Sequence, residues 1–571
     1  MDITFNVGGE AGQGIDTIGD LLTQVFVKAG FFTFTIKDYE SRIRGGYNFS
    51  QIRVSDVPIY APTDKVDVIV ALSRDAIIGQ RENLVENGVI VFEESIEFDG
   101  LETCHFPAPL TKTARAVGGS IRMTNAAAMG AVLSIIQFPF ILAENALTEI
   151  FSRKGEAIVS GNIAVAKTLY DYTAEKFTGT CRQNLSGVER GPCKDCLILN
   201  GNQALAFGAM AGNVKWVSSY PMSPSTSLFQ EIVTHANALN IGTLQSEDEI
   251  AGLAMAIGAS FAGARALTTT SGGGFSLMVE GLGFAAMTET PVVIYNAQRP
   301  GPSTGLPTRT EQSDLLFMLH ASQGEFPRIM LAPKNPSEAF EVGYRAFNLA
   351  DRFQVPVLIL GDQHFADSVM NIPDFDFSRV SIDRGKLADE NVESYKRYEL
   401  TEDGISPRAY PGDKGKVVAS SGNTHREDGH ITEDPDNRNL MVEKFYHKVP
   451  HILKALNPPE ICGPKKADYT VLSWGSTWGA VYEAISVLNI EEVSVNQLHY
   501  CDVYPLRTEV LHQVFEESKE VISIEQNATS QFAKLVSMET GLTVSHKINR
   551  YDGRPMTAKW IITHLENEGL I

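Results

Sequence analysis

Three consecutive acidic residues, Glu247, Asp248 and Glu249, stand near the start of the segment SEDEIAGLAMAIGASFAGARA (246–266). The rest of the segment carries Ala or Gly at most interior positions, which predicts a helix that another helix or subunit approaches closely. Acidic residues at the start of a helix complement its dipole. A carboxyl group held there can also take part in proton transfer. The residues alone leave both roles open.

The stretch SSYPMSPSTS (218–227) connects an apolar strand, VKWV, to a helical pattern, SLFQEIV. Pro224 suits the first position of a helix, and the Ser223 hydroxyl is of the type that caps one. The same hydroxyl-rich turn could instead hold a ligand at the end of the strand. The pattern by itself favours the capping interpretation.

A second strand-to-helix connection follows in ALTTTSGGGFSLMVEGLGFAAM (266–287), where a hydroxyl-rich, triple-glycine turn is predicted between strand and helix. The next strand, PVVIYNAQ, ends in a loop that holds Arg299 and Arg309. Guanidinium groups bind carboxylates through paired hydrogen bonds, so both arginines are candidate substrate ligands. A structural salt bridge is the alternative for each of them.

Near the N-terminus, the loop GGEAGQG (8–14) follows a strand and begins a helix, and Arg42 and Arg44 stand before a Gly-Gly turn. Backbone N–H groups at such a helix start can receive an anion, and two arginines beside them suit a polyphosphate. The spacing departs from G-x-G-x-x-G, so no dinucleotide site is predicted. A plain tight turn and a solvated basic turn are the alternatives.

The cysteines are scattered, and only GPCKDC (191–196) has the spacing of metal ligands. A zinc or cluster site would need two more ligands, of which Cys181 supplies one at most. The sequence therefore predicts free thiols in a reduced protein, and leaves a metal or redox role open for Cys181, Cys193 and Cys196.

The chain has 571 residues and a formal net charge of −21, which argues against nucleic acid and anionic membranes as partners. No secretory signal pattern begins the sequence, so we expect a cytoplasmic protein. The longest apolar run, AAAMGAVLSIIQFPFILA (126–143), contains Pro139 and is interpreted as a buried helix ending near that proline.

Strand and helix patterns alternate along most of the chain, which predicts an α/β protein. We expect four regions: an α/β domain at 1–190, a second at 198–365, a loop-rich connector at 366–465 with one helix near 439–453, and a third α/β domain at 466–571.

Several of these segments together resemble the 2-oxoacid:ferredoxin oxidoreductases. Those similar to the α subunit are YPMSPSTS, EDEIAGLAMAIGAS, TTTSGGGFSLM and RPGPSTGLPTRTEQSDL. GGEAGQGIDTIGDLL and RGGYNFSQIRVSD resemble the γ subunit, and GNTHREDGHITEDP resembles a connector of the 2-oxoglutarate branch. The order along the chain is that of a fused γα subunit.

The resemblance implies a role for each candidate residue. Glu249 matches the catalytic glutamate that binds the aminopyrimidine N1′ of thiamine diphosphate, and must be shielded from water. Ser223, where the family usually has threonine, would contact the substrate. The other implied contacts are Pro221, Ser271 and Gly272 to the cofactor, Arg299 and Arg309 to the substrate, and Gly12, Gln13, Gly14, Arg42 and Arg44 to coenzyme A.

The implied fold has a pyrimidine-type thiamine-diphosphate-binding domain at 198–365 and a transketolase C-terminal-like domain at 466–571. The implied reaction is CoA-dependent oxidative decarboxylation of 2-oxoglutarate to succinyl-CoA and CO₂, with reduction of ferredoxin. Pyruvate or a branched-chain 2-oxoacid is the alternative substrate; a transketolase-like enzyme and a non-catalytic scaffold are the alternative classes.

The sequence lacks a G-D-G motif with a downstream asparagine and a C-x-x-C-x-x-C motif. We therefore expect Mg²⁺, the diphosphate site and a [4Fe–4S] cluster in a β subunit, and no metal site in this chain. The resemblance further implies a dimer of αβ heterodimers, with ferredoxin as the electron acceptor.

Overall fold

Three β-sheets organise the chain. The computed structural model describes residues 1–40, 45–98, 103–189, 191–193, 195–392 and 394–571. These residues form two units. The first comprises Met1–Leu199, Ser368–Asp374 and Thr557–Trp560, and the second comprises Asn200–Asp367, Phe375–Met556 and Ile561–Ile571.

The strands in the described residues are, in chain order, β1 (Asp2–Ala11), β2 (Phe32–Asp38), β3 (Gly45–Ser55), β4 (Val66–Ala71), β5 (Leu84–Glu93), β6 (His105–Ala108), β7 (Leu197–Asn200), β8 (Trp216–Ser219), β9 (Gly242–Gln245), β10 (Ala266–Thr270), β11 (Val292–Gln298), β12 (Ile329–Leu331), β13 (Pro356–Asp362), β14 (Val369–Ile372), β15 (Glu460–Cys462), β16 (Tyr469–Trp474), β17 (Val495–Tyr500), β18 (Asp502–Tyr504), β19 (Glu520–Glu525) and β20 (His546–Asn549).

The α-helices in the same residues are α1 (Ile15–Lys28), α2 (Arg74–Gln80), α3 (Leu110–Gly118), α4 (Thr124–Ile135), α5 (Phe140–Phe151), α6 (Glu156–Lys176), α7 (Gly201–Ala211), α8 (Thr226–Leu239), α9 (Glu249–Phe261), α10 (Gly272–Met287), α11 (Leu315–His320), α12 (Pro336–Phe353), α13 (Gln363–Asp367), α14 (Pro435–His447), α15 (Val449–Ala455), α16 (Trp478–Ile490), α17 (Glu509–Glu517), α18 (Gln531–Thr540) and α19 (Ala558–Asn567).

The first unit is built on a sheet with the order β6-β5-β4-β1-β3-β2-β14-β7. Strand β1 pairs in parallel with β4 and antiparallel with β3. Phe26 of α1 stacks on Phe5 of β1 with 5.5 Å between ring centroids, which joins helix and sheet in one apolar core. The predicted buried helix is confirmed: α4 is buried over Ala126–Ile135 and ends before Pro139. In the described ranges, no helix combines the length and apolar character that crossing a bilayer requires.

The second unit contains a sheet with the order β18-β12-β13-β11-β10-β8-β9, in which only β18 is antiparallel to its neighbour. Every residue of β11 and β13 is buried, as expected for central parallel strands covered on both faces. A further sheet has the order β15-β17-β16-β19-β20. Leu358 of the first of these sheets and Trp474 of the second belong to one hydrophobic core. The α/β prediction is thus confirmed.

The segment between these two sheets differs from the prediction of a single helix near 439–453. It holds two helices, α14 and α15, which meet at Lys448. Pro450 lies in the first turn of α15, where its missing N–H leaves no unmet hydrogen bond. Strand β14, also from the predicted connector, pairs with β2 in the sheet of the first unit.

A buried ionic cluster attaches α14 and α15 to the end of α10. Lys444 Nζ donates to Glu289 Oε1 at 2.6 Å, and Lys448 Nζ donates to Glu289 Oε2 at 2.5 Å. All three side chains are almost fully buried. Although burial alone would raise the pKa of Glu289, the two lysines hold it well below its usual range. The carboxylate therefore remains charged at neutral pH, and its stabilising contribution is lost only in strong acid.

We expect Glu289→Gln to lower the free energy of unfolding by about 3–5 kcal/mol, because it leaves two buried ammonium groups without a counter-charge. Glu341 is a matched control, since its pair with Arg379 is largely exposed and worth at most about 1 kcal/mol. Urea titration followed by tryptophan fluorescence measures both variants. Equal losses for Glu289→Gln and Glu341→Gln would contradict the structural role of the cluster.

Candidate functional site

The strand order of the parallel sheet creates a crevice at its carboxyl edge. The chain leaves β8 toward β9, at one side, and leaves β10 toward β11, at the other side. Adjacent strands whose outgoing connections diverge in this way form a topological switch point, where ligands bind in α/β proteins. Tyr220 and Pro221 follow β8, Ser271 follows β10, and Arg299 follows β11. The sheet thus brings the sequence-predicted cofactor and substrate segments to one edge.

The three acids that begin α9 have different environments. Asp248 is the N-cap residue, and its carboxylate accepts a hydrogen bond from the Ala251 N–H at 2.7 Å. Glu247 is exposed. Glu249, the first residue of the helix, is only 4% exposed. Capping by Asp248 therefore accounts for one acid, and the buried Glu249 needs another explanation.

The carboxyl group of Glu249 lies against the start of α10. A Cβ added at Gly274 would lie 2.6 Å from Glu249 Oε1 and 2.2 Å from Thr270 Oγ1, so only glycine fits at this contact. No hydrogen-bond donor for the carboxylate is found among the residues that the structure describes. Burying a carboxylate without donors is unfavourable. Glu249 is thus a shielded acid placed to receive a donor from a ligand.

The triple glycine of SGGG forms the first turn of α10, and the prediction of a glycine turn before the helix is wrong here. Ser271 is the N-cap residue and Gly272 is already helical. A Cβ at Gly272 would lie 2.4 Å from Asp314 Oδ2. The glycines are therefore explained by close contacts of this helix with Asp314 on one side and Glu249 on another. The buried Ser271 hydroxyl has no hydrogen-bond partner among the described residues.

The turn after β8 corrects the interpretation of Ser223 as a helix cap. Helix α8 begins at Thr226, and Ser225 is its N-cap residue, without a capping side-chain bond. Ser225 Oγ donates instead to the Met222 carbonyl at 2.7 Å. The Pro224 carbonyl accepts a hydrogen bond from Asn202 Nδ2 of α7 at 2.9 Å. This bond attaches the turn to α7 before α8 begins. Ser223 is exposed, and the peptide that joins it to Pro224 is cis.

Arg299 connects this turn to the end of β11. Its Nη1 donates to the Ser223 carbonyl at 2.6 Å, so the structure brings these two predicted substrate ligands together through the backbone. Its Nε is buried and has no acceptor in the described part of the chain. Burial lowers the pKa of Arg299, and the negative charge of Asp314 opposes this shift only in part. The guanidinium group thus keeps donors for a further acceptor.

Asp314 is a site residue that the sequence analysis missed. Asn296 Nδ2 donates to its Oδ2 at 2.9 Å, and its backbone N–H donates to Gln298 Oε1 at 3.0 Å. Burial raises the pKa of Asp314. The hydrogen bond from Asn296 and the positive charge of Arg299 oppose this shift only in part. The sequence signal, an acid in TEQSDL, is too common to be noticed without the fold. Asp314 links Gly272 to the neighbourhood of Arg299.

The loop that carries Arg309 is held by a buried carboxylate at the end of β13. Asp362 accepts hydrogen bonds from Gln312 Nε2 at 3.3 Å and from the Phe365 N–H at 2.8 Å, and from the hydroxyls of Thr310 and Ser476. Arg309 itself packs near Gly553. A Cβ added at Gly553 would lie 3.1 Å from the Cβ of Arg309. Arg309 is therefore positioned by contacts different from those that hold Arg299.

The coenzyme A candidates lie in the first unit. Gln13 Oε1 accepts from the Glu10 N–H at 2.7 Å, and Gly14, with φ 86°, precedes α1. Gly12 is exposed. This loop presents the start of α1 to solvent, as an anion site requires. Arg42 and Arg44 lie outside the described residues.

The cysteine pair of GPCKDC differs from the prediction of free thiols. Cys193 and Cys196 form a disulfide, and Asn371 Nδ2 lies 3.2 Å from Cys193 Sγ. Cys181 is a free thiol whose pKa is raised by burial. In the described residues, no group of three or more His, Cys, Asp or Glu side chains is arranged to hold a metal ion.

A groove of about 600 Å³ runs along α9 and α10, next to the residue that follows Glu249. Its walls are mainly apolar and include the exposed side chains of Ile250, Leu277 and Phe284. Ser420, Ser421 and Gly422 close one side. Helix α9 thus carries a buried acid on one face and an apolar groove on another.

The chain matches two family models in succession. Residues 4–172 match the model described as pyruvate ferredoxin/flavodoxin oxidoreductase. Residues 207–444 match the model described as pyruvate flavodoxin/ferredoxin oxidoreductase, thiamine diphosphate-binding. The predicted thiamine-diphosphate-binding fold is therefore confirmed.

Relatives and one solved structure match almost the whole chain. The 2-oxoacid:ferredoxin oxidoreductase subunit alpha of a Sulfolobus species is 31% identical over 97% of this chain and 95% of its own. The 2-oxoglutarate oxidoreductase subunit KorA of Mycobacterium tuberculosis is 30% identical over 92% of this chain and 86% of its own. The structure of 2-oxoglutarate:ferredoxin oxidoreductase from Magnetococcus marinus, with 2-oxoglutarate, coenzyme A and succinyl-CoA bound, covers 99% of both chains at 32% identity and a TM-score of 0.93. Taken with the buried glutamate in a thiamine-type sheet, these matches show that the chain belongs to the 2-oxoacid:ferredoxin oxidoreductase family, as an α subunit.

Proposed function

We propose that this α subunit acts on 2-oxoglutarate, converting it with coenzyme A and oxidised ferredoxin to succinyl-CoA, CO₂ and reduced ferredoxin. The observation that carries the proposal is Glu249, a buried carboxyl group beside the switch point of a thiamine-type sheet, for which the described residues offer no hydrogen-bond donor. The choice of substrate is supported by the Magnetococcus marinus enzyme, whose structure contains 2-oxoglutarate and succinyl-CoA. Pyruvate and branched-chain 2-oxoacids are the alternative substrates.

The residues present fit thiamine diphosphate. When bound, this cofactor supplies a nucleophilic carbon and an electron sink for decarboxylation of the 2-oxoacid. Glu249 has the chemistry to bind the pyrimidine N1′, because its carboxyl group is shielded and accepts no hydrogen bond from the part of the chain that the structure describes. The glycine at 274 leaves space for that carboxyl group beside α10. We assign Pro221, Ser271 and Gly272, at the ends of β8 and β10, to the walls of the same site.

Arg299, Ser223 and Arg309 are proposed as the substrate ligands. 2-Oxoglutarate has a second carboxylate that pyruvate lacks, and a guanidinium group binds it with two parallel hydrogen bonds. Arg299 has a donor left for this purpose, since its Nη1 is used on the Ser223 carbonyl and its buried Nε has no acceptor among the described residues. The exposed Ser223 hydroxyl supplies a further polar contact to the substrate.

Coenzyme A is proposed to bind at the loop that contains Gly12, Gln13 and Gly14, with Arg42 and Arg44 on its phosphates. The exposed loop before α1 supports this assignment, because backbone N–H groups at a helix start receive phosphate oxygens.

We propose a β subunit as the partner that completes the enzyme. It would carry Mg²⁺ with the diphosphate site and a [4Fe–4S] cluster, deliver electrons to ferredoxin, and pair in a dimer of αβ heterodimers. The groove on α9 and α10 is proposed as its docking surface. Its mainly apolar walls and the exposed side chains of Ile250, Leu277 and Phe284 suit the apolar side chains of a partner. Because Ile250 of the groove directly follows Glu249, a partner seated there would also close the thiamine site.

Glu249→Gln is expected to lower kcat about 10²–10⁴-fold, since an amide cannot take part in proton transfer at the pyrimidine nitrogen. Folding should be retained, because the variant removes a buried charge. The rate of 2-oxoglutarate-dependent acyl-CoA formation by the co-expressed αβ complex measures the effect. Glu247→Gln, two residues away and exposed, should leave the rate unchanged. Activity of Glu249→Gln within twofold of wild type would refute the role of Glu249.

The substrate proposal predicts that kcat/KM for 2-oxoglutarate exceeds that for pyruvate. Arg299→Gln should reduce kcat/KM for 2-oxoglutarate about 10–100-fold, the effect of losing a charged hydrogen bond, and should reduce that for pyruvate much less. Kinetics of the wild-type and Arg299→Gln enzymes on a panel of 2-oxoacids tests this. If Arg299 only holds the turn at Ser223, Arg299→Gln lowers kcat/KM for both substrates by the same factor. A wild-type preference for pyruvate above about tenfold would overturn the choice of 2-oxoglutarate.

The docking proposal predicts that Leu277→Asp abolishes co-purification with the β subunit, because it places a charge in the apolar groove. Val233→Asp is the matched control, since Val233 is an exposed apolar residue of α8 outside the groove. Size-exclusion chromatography of co-expressed subunits reports the complex, and the melting temperature of the variant chain reports its folding. An intact αβ complex with Leu277→Asp would exclude the groove as the interface.

A further inference from the structure

Two arginines from the segment after β14 face one small cavity in the second unit. The cavity has a volume of about 10 Å³ and is lined by Arg397, Arg408, Phe261 and Thr290, among others. Because this is the space open to the centre of a water-sized sphere, the cavity admits one small ligand somewhat larger than water. Both arginines are almost completely buried, and the cavity that they line is partly open to solvent.

Arg408 has donors that the protein leaves unused. Its Nη2 donates to Asp351 Oδ1 at 2.8 Å and to the Tyr410 hydroxyl at 2.9 Å. Its Nε and Nη1 are buried and have no acceptor in the described residues. A buried guanidinium group with two unmet donors is unfavourable unless an acceptor lies next to it.

Arg397 has only neutral acceptors. Its Nη1 donates to Gln354 Oε1 at 2.8 Å and its Nη2 donates to the Glu289 backbone carbonyl at 2.7 Å. Within the described part of the chain, no carboxylate forms an ion pair with it. The positive charge of Arg397 is thus buried without a paired negative charge.

The buried charges around the cavity do not balance. Asp351 is shared by three arginines, through Arg265 Nε at 2.9 Å, Arg408 Nη2 at 2.8 Å and Arg384 Nε at 3.3 Å. Glu289 is shared between Lys444 and Lys448. Burial lowers the pKa of Lys444 to about 8 in spite of Glu289, as expected for a cation among other cations. Both buried carboxylates therefore form ion pairs with other cations, and Glu289 attracts Arg397 only at longer range.

We propose that this cavity binds a monovalent inorganic anion of the size of chloride, between Arg397 and Arg408. The unused Arg408 donors supply its hydrogen bonds, and the two guanidinium groups supply the charge. A water molecule would satisfy the donors but leave the excess positive charge buried. The anion joins the segment of Arg397 and Arg408 to the start of β11 at Thr290, and this role is independent of the reaction catalysed.

Bromide, which replaces chloride and scatters anomalously, locates the ion directly. Crystals of the full chain, or of its αβ complex, soaked in sodium bromide should show an anomalous peak in the cavity, within about 3.5 Å of a guanidinium nitrogen of Arg408. Density for a water without anomalous signal would overturn the proposal.

Thermal unfolding of the full chain tests the same site in solution. At constant ionic strength, replacing gluconate by chloride should raise Tm by about 2–4 °C and then saturate, since gluconate is too large for the cavity. Arg408→Gln should lose this chloride dependence, whatever its absolute Tm. Arg426→Gln should retain it, because Arg426 is an exposed arginine of the same segment.

Equal Tm values for wild type in chloride and gluconate would refute the site. If Arg408→Gln does not fold, Arg397→Gln takes its place, and the bromide peak in wild type decides independently. A variant of either arginine that keeps the full chloride dependence would contradict the assignment of the ion to this cavity.

Discussion

The contact between Glu249 and Gly274 is the constraint on which the site depends. Two helix starts, those of α9 and α10, meet so closely that a single Cβ at Gly274 would overlap the carboxyl group. The contact shields Glu249 from water, and no described residue offers it a hydrogen bond. A carboxylate that is buried without hydrogen-bond donors is unfavourable. The free chain thus holds an unfavourable group, which a donor from a ligand would stabilise.

The sheet order explains why this contact occurs beside the other candidate residues. With β8 and β10 adjacent and their outgoing connections divergent, the turns after both strands border one crevice. Asp314 joins Gly272 at the start of α10 to the strand end that bears Arg299. Asp362 then holds the following loop through Thr310 and Gln312. Buried carboxylates that accept hydrogen bonds from neutral donors therefore position the loops, whereas the described residues offer Glu249 no such donor.

Local sequence patterns predicted the elements and failed where distant residues decide the structure. The alternation of strands and helices and the acid at 249 are local features, and the α/β fold followed from them. Ser223 failed as a cap because Asn202, from an earlier helix, holds the Pro224 carbonyl. The glycines of SGGG were interpreted as a turn because their contacts, Asp314 and Glu249, are distant in sequence. Asp314 has no local signal, and its importance follows only from the residues brought next to it.

Helix α9 carries both the candidate acid and the surface proposed for docking the partner. Glu249 and Ile250 are consecutive, so the buried acid and the exposed apolar groove lie on the same first turn of α9. A partner that covers the groove fixes the position of α9, and a ligand that donates to Glu249 fixes it as well. Two ligands that favour the same arrangement of one rigid element must strengthen each other's binding by equal factors. In the proposed function, partner docking at the groove and cofactor binding at Glu249 would therefore strengthen each other through the start of α9.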